Sequence, residues 1–281
     1  MSDTAARHRA QIEAWNGPMG QQWAAGQART ERDLQQLTEA LLRVAKPQPG
    51  EQVLDIGCGC GGSSVAFGAA VGPGGFVFGA DVSAPMIEVA KGLALPQTEF
   101  ALADAASYPF EPGRFDLLIS RFGVMFFGDP DAAFAHIRTA MKPGARVAFA
   151  CWRPLAENPW VRVPMGALRA VLPSPPVPPG AEEPGPFAFG DTARVSRILT
   201  HGGFAPPAFE RFDFDMKFPA DPVKAAGLLI QIGPAGRLMR EQSEECRAAG
   251  MAAIAGALAP FVAGDRIVLV GSVWLVTTTA V

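Results

Sequence analysis

"VLDIGCGCGGSSVAF", residues 53–67, decides the fold. The apolar run from Val53 to Ile56 reads as a short strand, the glycines as a turn, and the residues from Ser63 onward as a helix. Two glycine spacings overlap in the turn. Gly57, Gly59 and Gly62 fit the G-x-G-x-x-G of a dinucleotide site. Gly57, Gly59 and Gly61 fit a tighter G-x-G-x-G nucleoside-binding turn. The surroundings must choose between them.

Working outward, strands alternate with helices. "QVLDI", "FVFGAD", "TEFALAD", "FDLLIS" and "ARVAFACW" read as strands. "SSVAFGAAV", "SAPMIEVAKG" and "DPDAAFAHIRTAMKPG" read as helices, the second capped by Ser83, the third by Asp129 and closed at Gly144. Alternation of this kind implies βαβ units and a parallel sheet covered on both faces. Upstream, "TERDLQQLTEALLRVA" is an amphipathic helix with Thr30 and Asp33 placed as a capping box. Ten prolines fall between Arg153 and Gly190, the signature of an insertion or linker with little regular structure. Beyond it, "FERFDFDMKF" alternates as a half-buried antiparallel strand and "DRIVLVGSVWLVTTTA" reads as a last strand. The divisions are a helical lid segment at 1–46, a core at 47–152, the Pro-rich insertion at 153–190 and the rest of the same fold at 191–281. The expected architecture is α/β, Rossmann-like and doubly wound. It has seven mostly parallel strands and ends in an antiparallel hairpin.

Composition removes several function classes. The chain has 281 residues, a net charge of −3 and no Lys/Arg run, so it lacks a nucleic-acid footprint. Residues 56–80 are uncharged, but nine are glycine, which excludes a stable membrane-spanning helix. The start of the chain is charged and lacks an apolar signal core, so the expected compartment is the cytoplasm, with Cys58, Cys60, Cys151 and Cys246 reduced. No second cysteine or histidine pair completes a metal site, and no metal is expected. The sequence leaves the oligomeric state open.

The candidate site residues cluster at the ends of strands. In open parallel sheets ligands bind beyond the carboxyl ends, where strand order reverses. Asp55 lies near the end of the first strand, Asp81 ends the second, Asp104 follows the third and Ser120-Arg121-Phe122 follows the fourth. Asp81 is placed to accept ribose hydroxyls, which suits either glycine pattern. Asp55 discriminates, because a pyrophosphate would meet its charge at short range. A ligand with an ammonium group and a carboxylate, and no phosphate, would be welcomed there.

On these residues the chain resembles the class I S-adenosylmethionine-dependent methyltransferases, and most of all the quinone-biosynthesis C-methyltransferases. "VLDIGCGCG", "GADVSAPMIEVAK", "ALADAASYPF", "FDLLISRFGVMFF" and "MKPGARVAFACW" carry the likeness across about residues 50–152. It implies S-adenosyl-L-methionine as cofactor. Gly57, Cys58, Gly59 and Gly61 would hold its methionine end, with Asp55 near the ammonium. Asp81 would bind the ribose, with Val82 and Met86 beside the adenosine. Asp104 and Ala105 would face the adenine, and Ser120 and Phe122 the transferred methyl.

The expected activity is methyl transfer to a small, apolar, ring-bearing acceptor at carbon, oxygen or nitrogen. Trp15, Trp23, Met125, Phe126 and Trp152 are the candidate acceptor wall. No general base stands out, and Arg121 is the candidate for orienting an acceptor oxygen. Two other readings stay open: a non-catalytic S-adenosylmethionine-binding partner, and an NAD-dependent oxidoreductase favoured by Gly62 alone.

Overall fold

The computed structural model describes residues 3–174, 180, 183–231, 233–240 and 242–281. The proline run at 175–179 lies outside the described residues. Four helices come first: α1 (Asp3–Asn16), α2 (Pro18–Ala25), α3 (Gln27–Asp33) and α4 (Gln35–Ala45). Strands and helices then alternate as β1 (Gln52–Ile56), α5 (Gly62–Val71), β2 (Phe76–Asp81), α6 (Ala84–Gly92), β3 (Thr98–Leu102), β4 (Phe115–Arg121), α7 (Pro130–Ala140) and β5 (Met141–Trp152). The remainder comprises α8 (Pro159–Leu168), α9 (Thr192–His201), β6 (Ala208–Pro219), α10 (Pro222–Gln231), α11 (Gly233–Arg240), α12 (Glu244–Leu258), β7 (Val262–Ala263) and β8 (Arg266–Thr279).

The sheet runs β3-β2-β1-β4-β5-β8-β6. The pairs β3–β2, β2–β1, β1–β4 and β4–β5 are parallel, and the last strands turn the sheet antiparallel. Seven strands lie on this path, as the alternation implied, and the two-residue β7 adds a short antiparallel pairing to β8. Strand order reverses between β1 and β4, so the crevice for a ligand opens beyond Ile56 and Arg121. Apolar runs such as Leu117 to Ile119 are buried because helices cover both faces. On one face Leu41 and Ala45 of α4 and Phe67 and Val71 of α5 pack on Val53, Val77, Leu117 and Ile119. Each such fully buried side chain contributes about 1.5–3 kcal/mol. That packing fixes where the strand ends stand.

Several local expectations change. The helix expected from Thr30 begins at Gln27. Leu34 N–H donates to the Thr30 carbonyl (2.9 Å) and Thr38 N–H to the Leu34 carbonyl (3.0 Å), so the backbone ladder passes through the α3–α4 junction. Thr30 is therefore interior, and Gly26 makes the break. Helix α7 stops at Ala140 rather than Gly144, because Met141 already pairs with Phe115 on β4. Asp129 does cap it, accepting from Ala132 N–H at 3.0 Å. Part of the proline-rich stretch is helical: Pro159 takes the first position of α8, where a missing N–H costs nothing.

Two compact units divide the chain. The first holds Met1–Cys151, Glu182–Phe212 and Val273–Val281, and the second Trp152–Ala181 and Asp213–Ser272. Within the second, Trp152 stacks on Phe214 (5.9 Å) and lies 4.8 Å from Trp160. Arg153, almost fully buried, pairs with Asp213 (2.7 Å) and Glu157. Asn158 brackets Ser272, accepting from its N–H (2.8 Å) and donating to its carbonyl (3.1 Å).

Candidate functional site

The three glycines of the turn have three different reasons. Gly57, at φ +67°, lies so close to Gly123 that a Cβ would stand 2.5 Å from the Gly123 Cα. Gly61, at φ +86°, packs on Phe100, whose ring would be 2.8 Å from a Cβ. Gly59, at φ +55°, faces open space, with Met86 Sδ the nearest atom to a built Cβ at 3.8 Å. Of the three, Gly59 alone has open space on its Cβ side, while Gly57 and Gly61 hold the turn's shape. Gly62 has a reason too. A Cβ there would overlap the carboxylate of Glu31. The fourth glycine is accounted for within the chain, without a dinucleotide.

Asp81 is buried at the end of β2 and organises two loops. Its Oδ2 accepts from Gly59 N–H and its Oδ1 from Ser83 N–H, both at 2.8 Å. Burial pushes its carboxyl up, and those N–H groups hold it down. Each oxygen retains acceptor capacity for a hydroxyl. Asp55 is fully buried on β1. Its Oδ2 accepts from Ser63 Oγ (2.7 Å) and Ser64 Oγ (2.6 Å), both in the first turn of α5. Its Oδ1 is buried without a hydrogen-bond partner. Burial pushes this carboxyl up to about 6, opposed by the two serines and the Arg121 charge. A buried acceptor lacking a donor is costly, and an incoming ammonium would satisfy it.

The first helices reach the ends of β2 and β3. Asn16 Nδ2 donates to the Val82 carbonyl (2.8 Å), and Asn16 Oδ1 accepts from Ala84 N–H (3.0 Å). Ser83, expected to cap α6, instead donates its hydroxyl to the Trp15 carbonyl at 2.7 Å. His8 Nε2 meets Asp104 Oδ2 at 2.7 Å in the loop after β3. Asp104 also accepts from Ala106 N–H and Ser107 Oγ. Trp15 stands edge-on to Phe126 (5.2 Å) and 6.3 Å from Trp23. Gly20 fits against the Trp15 carbonyl and the Ser83 hydroxyl, where any side chain would collide.

At the end of β4, Arg121 is clamped by Glu31 through both carboxylate oxygens (2.6 and 2.9 Å) and donates to Thr38 Oγ1 at 2.7 Å. Orienting an acceptor with Arg121 would require that pair to open. Ser120 is buried. Its hydroxyl donates to the Ile56 carbonyl (2.7 Å) and accepts from Gly123 N–H (3.1 Å), which joins the β1 and β4 turns. Phe122 sits at φ +73°, an unfavourable region for a non-glycine residue. Met125 is buried and Phe126 partly exposed.

Most candidate residues from the sequence thus lie together in the first unit. Cys58 and Ala105 are buried beside the glycine turn and Asp104, and burial raises the Cys58 thiol well above its ordinary value. Trp152 belongs to the second unit. The residues that sequence reasoning missed are His8, Asn16 and Glu31. His8 and Asn16 sit on a polar helical stretch whose periodicity shows no buried face, and Glu31 lies off the apolar face of the amphipathic stretch that follows, so only tertiary structure identifies them. All four cysteines are unpaired, and among the described residues no helix is long and apolar enough to cross a membrane.

The family profile described as a methyltransferase domain matches residues 53–144. This segment is similar to a methyltransferase domain. The ubiquinone/menaquinone biosynthesis C-methyltransferase UbiE of Cupriavidus metallidurans is 36% identical over 120 residues, covering 40% of this chain and 49% of that protein. The Burkholderia vietnamiensis UbiE matches to the same extent. The chain thus spans about half the length of these curated relatives. Among solved structures, YcgJ of Bacillus subtilis matches at TM-score 0.52 and 18% identity, covering 86% of this chain and 97% of that one. A Haemonchus contortus phosphoethanolamine N-methyltransferase 2, solved with S-adenosylhomocysteine, matches at TM-score 0.51 and 20% identity, covering 87% and 52%. The [4+2]-cyclase SpnF also matches, at TM-score 0.50 and 18% identity, covering 88% and 80%. These structural likenesses bear on the fold.

Proposed function

We propose that the chain transfers a methyl group from S-adenosylmethionine to a small, apolar, ring-bearing acceptor of the quinol or phenol kind. The carrying observation is the buried, partnerless Oδ1 of Asp55, set at the same turn as Gly59 and Asp81. That set offers an acceptor for an ammonium, open backbone at Gly59 and a carboxylate for ribose hydroxyls. It suits a nucleoside carrying an amino-acid end. When bound, S-adenosylmethionine supplies an electrophilic methyl on a sulfonium.

The chain's own residues then have defined tasks. Asp81 holds the glycine turn and the β2 loop in one geometry and keeps lone pairs for a ribose. Asp104 offers an acceptor suited to an adenine amine. Trp15, Trp23 and Phe126 supply an apolar aromatic wall over the strand ends, favouring a ring and excluding water. Residues 122–128, "FGVMFFG", contain no ionisable side chain. The acceptor is therefore one whose own electrons are already nucleophilic, as in an electron-rich ring carbon, and catalysis rests on placement. The likeness to UbiE, named a C-methyltransferase, supports carbon as the acceptor atom.

The test is a screen of quinols, phenols and amines with methyl-labelled S-adenosylmethionine, paired with calorimetry of S-adenosylhomocysteine. Label in a ring-bearing acceptor is the expected result. Binding without transfer to any acceptor class would leave a non-catalytic binder. Tight NAD binding that displaces S-adenosylhomocysteine would overturn the cofactor assignment.

A further inference from the structure

The Glu31–Arg121 pair has a position that a surface salt bridge does not need. Arg121 ends β4 and its side chain is only 8% exposed. Both of its terminal nitrogens are engaged by one carboxylate, that of Glu31. The same carboxylate rests on Gly62, the first residue of α5. This helix has Gly61 as its N-cap, no side-chain cap and no acidic residue in its first turn. The orphan N–H groups and partial positive charge of a helix start attract an anion. The Glu31 carboxylate, brought from another helix, lies beside that start. Asp55 on β1, held through its Oδ2 by Ser63 and Ser64 of the first turn of α5, presents a fully buried Oδ1 that lacks a donor. One small region thus holds a guanidinium and helix start filled by a carboxylate, and a carboxylate awaiting a cation. An α-amino acid matches both at once.

We propose that Glu31 is a displaceable stand-in for the cofactor's carboxylate, so that α3 and the amino-acid end of S-adenosylmethionine compete for Arg121 and the start of α5. The proposal rests on the cofactor reading above. It makes α3 a gate. With Glu31 on Arg121, the first helices are latched over the strand ends. A bound carboxylate on Arg121 releases Glu31, while the contacts of Asn16 and Trp15 with the β2 loop hold the rest of the segment in place. An adenosine ligand without the amino-acid end does not contest the latch.

Calorimetry on wild type, Glu31→Ala and the size-conserving Glu31→Gln separates the possibilities. Two ligands are used: S-adenosylhomocysteine, and 5′-methylthioadenosine, which lacks the amino-acid end. Removing the competing charge is expected to tighten S-adenosylhomocysteine by threefold or more, leaving 5′-methylthioadenosine within twofold. In wild type, S-adenosylhomocysteine and not 5′-methylthioadenosine is expected to speed tryptic cleavage at Arg29 and Arg32. If Glu31→Ala weakens both ligands, or shifts both by the same factor, Glu31 is a brace and the gate is wrong while the cofactor assignment stands. If neither ligand binds any of the three proteins, the cofactor assignment falls, and the gate with it.

Discussion

His8 Nε2 lies 2.7 Å from Asp104 Oδ2, tying the first helix to the loop after β3 across 96 residues of sequence. Both side chains are about three-quarters covered, at 27% and 23% exposure. A partly exposed pair of this kind contributes at most about 1 kcal/mol. His8→Ala should therefore leave global unfolding nearly unchanged and loosen α1 locally. Tryptic cleavage at Arg7 and Arg9 is expected to accelerate, with the urea midpoint almost fixed. Equal cleavage rates in both proteins would mean that Asn16 and Trp15 alone hold the segment.

Asp81 serves both fold and ligand. Asp81→Ala strands Gly59 N–H and Ser83 N–H, at about 1–3 kcal/mol of stability, and removes a further 1–3 kcal/mol of cofactor affinity. Asp81→Asn retains one acceptor oxygen and should lose less of each. Denaturant titration and calorimetry of S-adenosylhomocysteine measure the two effects separately. Unchanged affinity in Asp81→Ala would remove Asp81 from the ligand site.

Gly59 and Gly61 should respond differently to substitution. Gly61→Ala drives a methyl into the Phe100 ring and Ala90, at 2.8 and 3.1 Å, so its main effect is on stability, by about 2–4 kcal/mol. Gly59→Val meets open space and costs about 1–2 kcal/mol for its left-handed backbone. Its larger effect falls on cofactor affinity. Thermal melts with and without S-adenosylhomocysteine test this. A Gly59→Val protein that still gains full thermal stabilisation from the ligand would show that the turn approaches it elsewhere.

Asp55 predicts a pH dependence with a definite sign. Its carboxyl titrates near 6 in the folded protein, raised mainly by burial from an unfolded value of about 4. The folded state therefore holds this proton more tightly than the unfolded chain does. The resulting stability is complete below about pH 4 and is lost as pH rises through about 6, amounting to about 3 kcal/mol. Asp55→Asn cannot titrate, so its urea midpoint should fall less across that window than the wild-type midpoint. Parallel slopes would assign the titration to another group. A ligand ammonium favours the ionised carboxylate, so S-adenosylhomocysteine should bind wild type more tightly as pH rises through about 6.

The nucleotide-binding half was legible in the sequence because its signals are local. Strand periodicity, the glycine turn and an acidic residue at or just past the ends of the first three strands need no tertiary knowledge, and β1 to β5 stand where alternation placed them. What could not be read was which polar groups answer one another across the fold. Ser83 looks like a helix cap because serine at that spacing usually is one, yet its hydroxyl serves Trp15, which the chain brings from 68 residues away. Glu31 opens an amphipathic stretch but lies off its apolar face, so nothing in the spacing marks it. Arg121 looked available to an acceptor because the sequence could not show the carboxylate already holding it.

Gly57 and Gly123 meet backbone to backbone, and this contact limits how the protein can diversify. A side chain at either position would strike main-chain atoms of the other, and no rotamer change can relieve that overlap. A second substitution cannot compensate for the first, since neither residue has a side chain to shorten. The ligand turn after β1 and the loop after β4 are therefore locked to each other, and single-step mutational paths through either glycine are closed. Variation in the first unit is left to places where packing is made by side chains, such as the aromatic cluster of Trp15, Trp23 and Phe126.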